Sequence, residues 1–143
     1  AQPLAACSVE VAAQSDQFFG GESAQAIQRA LEAQPEGSWA RTTAATLRKR
    51  SPLMVAVVLE QIRRARSMTL ADDLRMERDM VRHCFYLRPG QSETLEGIRA
   101  LAVDKDQNPR WSPARIEDVS PELVQAFFKS PWPAHAHPLA ALR

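Results

Sequence analysis

The placement of proline constrains this chain most. Six of its ten prolines (Pro109, Pro113, Pro121, Pro131, Pro133 and Pro138) fall in the last 35 residues, whereas the stretch 41–87 holds Pro52 alone. Proline lacks a backbone N–H and clashes one turn back, so it breaks a helix interior but is tolerated at the first helical position. The centre can therefore run as long helices, and the end must be cut into short pieces. Ser51-Pro52 and Ser120-Pro121 both read as a serine cap followed by proline at a helix start. The run 53–59 is apolar throughout and by itself could be a buried strand. Its pattern continues through Ile62 and Ala65 and ends in Arg63, Arg64 and Arg66. Cations there suit a helix C-terminus, so length and charge together predict a helix over 51–66.

The same reasoning predicts further helices. Ser23 caps one in which Ile27, Ala30 and Leu31 share a face, ending near the turn Pro35-Glu36-Gly37. Ser38 opens the next, through Trp39, Thr43 and Leu47. Thr69 with Asp72 forms a capping-box-like pair for a helix over 69–87, whose apolar stripe reads Leu70, Leu74, Val81 and Cys84. A shorter helix runs from about 92 to 104 with Leu95, Ile98 and Ala102 inward, and a last one carries Leu123, Val124, Phe127 and Phe128. The expected fold class is mainly α, with five to seven helices. The expected divisions are a linker or short helix over 1–21, a helical domain over 22–130 and an extended Pro/His tail over 131–143.

Composition narrows the function classes. A chain of 143 residues, 45% hydrophobic and 24% charged, is of single-domain size and can bury a core. Eighteen basic against 17 acidic residues leave a net charge of +1. That balance argues against a general nucleic-acid or anionic-membrane binder. The longest apolar run has seven residues, against the ~20 that a membrane span needs. No signal-peptide pattern is present. Cys7 and Cys84 match neither a metal spacing nor a disulfide framework, and a reducing compartment is the simplest reading. The chain lacks an initiating Met, as expected after processing or in a piece of something longer.

Few residues stand out chemically. Glu77 falls at the missing step of the stripe Leu70, Leu74, Val81, Cys84. A carboxylate on an apolar face needs a partner or a shifted pKa. It is either an acid/base beside a pocket or, more commonly, a structural ion pair. Seven basic residues and one acid lie between 41 and 66, which could meet phosphates or form a solvated face. His83, His135 and His137 have no metal-ligand spacing. No Ser/His/Asp set can be nominated from order alone. Trp111 reads as a loop anchor or a ligand platform.

One stretch carries a resemblance. Glu96-Gly97-Ile98-Arg99-Ala100-Leu101-Ala102-Val103-Asp104-Lys105-Asp106-Gln107-Asn108-Pro109-Arg110-Trp111-Ser112-Pro113-Ala114 resembles the EGxRAxxxDKDxxPxWxPA signature of 3-hydroxyisobutyryl-CoA hydrolases, within the crotonase (enoyl-CoA hydratase/isomerase) superfamily. Lys49-Arg50-Ser51-Pro52, the segment 63–70, Met76-Glu77 and the segment 119–128 resemble further parts of that family, so the likeness covers about residues 18–130. It implies the helical C-terminal segment of a larger enzyme whose spiral β core, with the oxyanion-hole donors and catalytic carboxylates, is absent here.

The implied chemistry is hydrolysis of a branched β-hydroxyacyl-CoA thioester in valine breakdown. The expected partners are the missing crotonase core and a CoA thioester. The chain would cover the acyl-CoA site without being catalytic alone. No cofactor and no metal is expected, no catalytic residue is placed here, and neither nucleic acid nor membrane is an expected partner. Lys105 is the position that the resemblance aligns with a CoA-phosphate contact; the alternative is a solvated lysine paired with Asp104 or Asp106. Glu77 and Trp111 are expected to be structural or near the pocket. The expected setting is a bacterial cytoplasm. The alternatives are a fragment of an enoyl-CoA hydratase/isomerase-type enzyme, or a helical oligomerisation module using an exposed apolar face.

Overall fold

A computed structural model describes residues 9–142, with side chains from residue 11 onward. Among these residues the chain forms seven α-helices, several short turns of 3-10 or π type, and no strand. It divides into two compact units, one up to Lys49 and one from Arg50 onward. The boundary lies inside the span 22–130 that the sequence suggested as one domain. The expected linker or short helix over 1–21 contains a helix, α1 (Val9–Phe19). Cys7 lies outside the described residues.

The first unit packs α1, α2 (Ala24–Glu32) and α3 (Trp39–Leu47). The hydroxyl oxygens of Ser23 and Ser38 accept the backbone N–H of Ala26 and Arg41 at 3.1 and 3.2 Å. Each satisfies a donor left free by the first helical turn. Ile27, Leu31, Ala40 and Ala44 are buried. Ala30, expected beside them, is exposed, and Gln28 takes the buried position instead. Its amide donates to the Ala44 carbonyl at 3.1 Å and to Glu32 at 2.7 Å, so the buried polar group is satisfied. Arg48 closes a fork on Glu32 at 2.5 and 2.9 Å. The hydrogen bonds from Arg48 and then Gln28 hold the Glu32 carboxyl down to about 2.

The second unit is built on α4 (Pro52–Ala65), α5 (Leu70–Tyr86), α6 (Glu93–Ile98) and α7 (Pro121–Ala126). Its core is Leu53, Val57, Met76, Met80 and Phe127, flanked by Met54, Cys84, Leu87, Leu123 and Val124. The caps that the sequence suggests at Ser51, Thr69 and Ser120 form, and Ser92, expected only as a helix start, is a fourth. Ser51, Thr69, Ser92 and Ser120 accept the N–H of Met54, Asp72, Leu95 and Leu123 at 3.1 to 3.3 Å. The Thr69 hydroxyl also donates to the Asp72 carboxylate at 2.7 Å.

Two helix faces differ from expectation. On α5 the stripe Leu70, Leu74 and Val81 points to solvent, Leu70 being 75% and Val81 55% exposed. The helix is instead buried through Met76, Met80 and His83. On α6 the expected inward residues Leu95 and Ile98 are exposed, and Ala100 is buried. The helix expected to reach residue 104 ends at Ile98 and continues as a π-helical turn, Arg99–Val103, closed by the Asp104 N–H on the Arg99 carbonyl at 2.8 Å. The most apolar stripe is where a helix can bury most area, but nothing in its own period says which neighbour it is buried against.

The tail is not extended as expected. It forms a 3-10 turn at Ala134–Ala136 and a further turn over 138–141, and it lies back on α5.

Candidate functional site

The chemistry of the signature stretch centres on Arg99. From the π turn its guanidinium reaches five acceptor oxygens on four residues. It donates to both Glu96 oxygens at 2.8 and 2.9 Å, to Asp104 at 2.6 Å, to Asp106 at 2.7 Å and to the Asn108 carbonyl at 3.1 Å. The Asp106 carboxylate accepts the Asn108 N–H at 2.9 Å, and Glu96 accepts the Arg110 N–H at 2.6 Å. One planar cation thus folds the loop 104–110 around itself, a task for which a lysine lacks donors. The Arg99 hydrogen bonds, then that of the Arg110 N–H, hold the Glu96 carboxyl down to about 2. Asp106 is lowered by the Asn108 N–H first and Arg99 second. Arg99 itself is raised, by Glu96 first and then by Asp106 and Asp104.

These shifts make a pH prediction. A carboxyl whose folded pKa is depressed stabilises the fold above its ordinary range, and that contribution is lost as pH falls toward the folded value. The hub should therefore persist at pH 5 and loosen between the ordinary carboxylate pKa of about 4.3 and 2. A carbon-detected NMR titration should place the Glu96 transition near 2 in the wild type. In Arg99→Ala it should move up toward about 4.3.

Lys105 follows from this arrangement. It sits between two aspartates, and both turn to Arg99. Lys105 is exposed, and among the described residues no ion pair forms between it and either aspartate. Its backbone is left-handed (φ 56°), as is that of Gln107 (φ 53°). That conformation is uncommon and costly for a residue with a Cβ, and here the loop's closure on Arg99 imposes it. The result is a cation presented to solvent at a tightly held turn.

Trp111 lies half-buried with its ring on the α6 backbone: a Cβ at Gly97 would stand 3.4 Å from Trp111 Cη2. That is ordinary contact distance, so the ring packs closely over the signature glycine. Next to it, Ser112 N–H donates to buried Glu93 at 2.9 Å, and Arg88 donates to the Ser112 carbonyl at 2.5 Å. Glu77 is elsewhere. It is exposed on α5 and accepts a hydrogen bond from Gln61 at 3.1 Å. The apolar surroundings inferred for it exist, but they face solvent.

The basic run 41–66 is not one patch. Arg41 donates to the Glu32 carbonyl and Arg48 pairs with Glu32, both in the first unit. In the second unit Arg64 pairs with Glu60 at 2.8 Å and lies over the Phe128 ring. His83 donates to the Lys129 carbonyl at 2.7 Å, and His137 meets Asp79 at 3.0 Å. The Asp79–His137 pair was not legible in the sequence, since the two are 58 positions apart. Cys84 is half-buried, and burial pushes its thiol up. Among the described residues no group of three or more His, Cys, Asp or Glu is placed to hold a metal. No helix of those residues is long and apolar enough to cross a membrane.

The family model described as enoyl-CoA hydratase/isomerase matches residues 2–128. This chain belongs to the enoyl-CoA hydratase/isomerase family. Among curated members it is similar to the mitochondrial 3-hydroxyisobutyryl-CoA hydrolase of Dictyostelium discoideum, at 38% identity over 115 residues, covering 80% of this chain and 29% of that protein. It is also similar to small ribosomal subunit protein mS47 of Arabidopsis thaliana, at 34% identity, covering 79% of this chain and 28% of that one. A crystal structure described as an enoyl-CoA hydratase from Rhodobacter sphaeroides superposes with a TM-score of 0.73 at 32% identity, covering 92% of this chain and 39% of that one. The chain thus spans less than a third of the length of the curated relatives it matches.

Proposed function

We propose that this chain is the helical C-terminal part of an acyl-CoA-processing enzyme, a 3-hydroxyisobutyryl-CoA hydrolase, that it covers the acyl-CoA site, and that it does not cleave thioesters alone. Valine breakdown in a bacterial cytoplasm is the setting that this reading assigns. The reading is supported by the likeness to the curated hydrolases and carried by one observation: Lys105 stands unpaired because Arg99 takes both flanking aspartates. Lysine is a compact cation suited to a phosphate. In this reading Lys105 meets a CoA phosphate, and the Arg99 hub and Trp111 position it. The exposed stripe Leu70, Leu74, Val81 and Phe85 of α5 is the face that meets the enzyme's catalytic core. No cofactor besides the CoA thioester substrate enters the reading.

The test uses the 143-residue chain. Titration with CoA, followed by amide NMR, should shift loop 104–110. Lys105→Glu should weaken that response roughly tenfold, because it replaces an attraction by a repulsion. An unchanged response overturns the role of Lys105. Thiol release from an acyl-CoA by the chain alone overturns the assignment of a non-catalytic part.

A second reading, a self-associating interaction module, is favoured by the same apolar stripe. Its prediction is a concentration-dependent dimer in sedimentation that Val81→Glu abolishes. A chain that remains monomeric at high concentration removes it.

A further inference from the structure

Helix α5 carries three separate stripes. One enters the core (Met76, Met80), one is the exposed apolar face, and a third is polar: Arg75, Arg78, Asp79, Arg82, with His83 at its border. Residues spaced three and four apart share a helix face. The polar stripe is covered by residues 129–142, a segment beyond the span matched by the family model. The contacts read two kinds of group, backbone carbonyls and one indole ring. Arg75 donates to the carbonyls of Leu139, at 3.1 Å, and Leu142. Arg78 and Arg82 lie over the Trp132 ring, 5.0 and 5.4 Å from its centroid. The His83 ring N–H donates to the Lys129 carbonyl.

The centre of the contact is Asp79 with His137, whose side chains are only 11% and 8% exposed. His137 Nδ1 accepts the Leu139 N–H at 3.0 Å, which leaves Nε2 to donate to Asp79. The imidazole packs edge-on against Trp132 at 5.4 Å. The tail is therefore recognised by an indole, an imidazole five residues on, and carbonyls two and five residues beyond that. This is a peptide code rather than a general apolar contact.

The stripe is also built to survive the tail's departure. Asp79 has Arg75 four residues before it and Arg82 three residues after it on the same helix, so it can be re-paired locally when His137 leaves. A buried charge without that option would tie the tail permanently. We propose that the polar stripe of α5 is a peptide-recognition site whose resident ligand is this chain's own segment 129–142, held as a detachable latch.

The test uses the full chain. In Trp132→Ala/His137→Ala, tryptic cleavage after Lys129, read by mass spectrometry, should accelerate at least tenfold with the helical circular dichroism retained. A fluorescent peptide with the sequence of residues 130–142 should then bind this released chain in trans. The same peptide carrying both alanines should bind at least tenfold more weakly. Arg75→Ala in the released chain should likewise weaken the wild-type peptide.

Three results would each overturn the proposal. They are unchanged cleavage after Lys129, no binding of the peptide to the released chain, and loss of the helical signal in the double variant. The last would make the tail part of the core and not a ligand.

Discussion

Glu93→Ala should destabilise the second unit by about 3–5 kcal/mol, the range for removing one partner from a buried charge pair. Glu93 is buried at the first turn of α6. One oxygen accepts the Ser51 hydroxyl at 2.5 Å, and the other accepts the Ser112 N–H at 2.9 Å with Arg88 at 3.6 Å. Those partners belong to the start of α4, the loop after Trp111 and the end of α5. Alanine leaves the Ser51 hydroxyl and the Ser112 N–H without an acceptor and removes the carboxylate facing Arg88, whose guanidinium keeps just the neutral Ser112 and Gln91 acceptors. The Ser51 cap of α4 is affected as well, because that hydroxyl also receives the Met54 N–H. Urea denaturation followed by circular dichroism measures the loss. A change below about 1 kcal/mol, the net worth of one ordinary hydrogen bond, would contradict the structure. Glu93→Gln keeps the shape and one acceptor and should fall between the two.

Phe127→Ala should cost about 3–5 kcal/mol by loss of transfer energy and creation of a cavity. Phe127 follows α7 and is buried with Leu53, Val57, Met76 and Met80. It also meets the edge of His83, ring centroids 6.3 Å apart. Among the described residues after Ala100 it is the one buried hydrophobic, so its removal loosens α7 from both α4 and α5. Phe127→Leu should cost less than about 1.5 kcal/mol if the core repacks. A second readout is Cys84, which lies against the same core with its thiol raised by burial. In a Cys7→Ser background a thiol reagent should modify Cys84 faster in Phe127→Ala than in the parent. Equal labelling rates would show that the cavity does not reach α5.

Helix starts were legible because a cap is a local contract between one side chain and the N–H groups two or three residues on. Ser23, Ser38, Ser51, Thr69, Ser92 and Ser120 all keep it. Helix faces were less legible. The stripe Leu70, Leu74, Val81 has the right period and the wrong destination, since the core of this chain takes the neighbouring stripe Met76, Met80 and leaves the more apolar one bare. The burial inferred for Glu77 from that stripe fails for the same reason, since Glu77 is exposed. The end of α6 was missed because a π turn needs one extra residue to swing Arg99 onto Asp104 and Asp106, and no propensity marks it.

The signature stretch pointed to the loop 104–113, to Lys105 and to Trp111. Its hub, Arg99, holds carboxylates three before and five and seven after it, a spacing that only a closed loop brings together. The sequence by itself determined the helical class, the helix starts and the family, because each rests on neighbours along the chain or on a contiguous motif. Tertiary structure alone decided which face of α5 is buried, which cation the loop leaves free, and that His137 returns to Asp79. Each of those depends on groups brought together from distant positions, and a burial pattern is a property of the partner surface as much as of the helix that meets it.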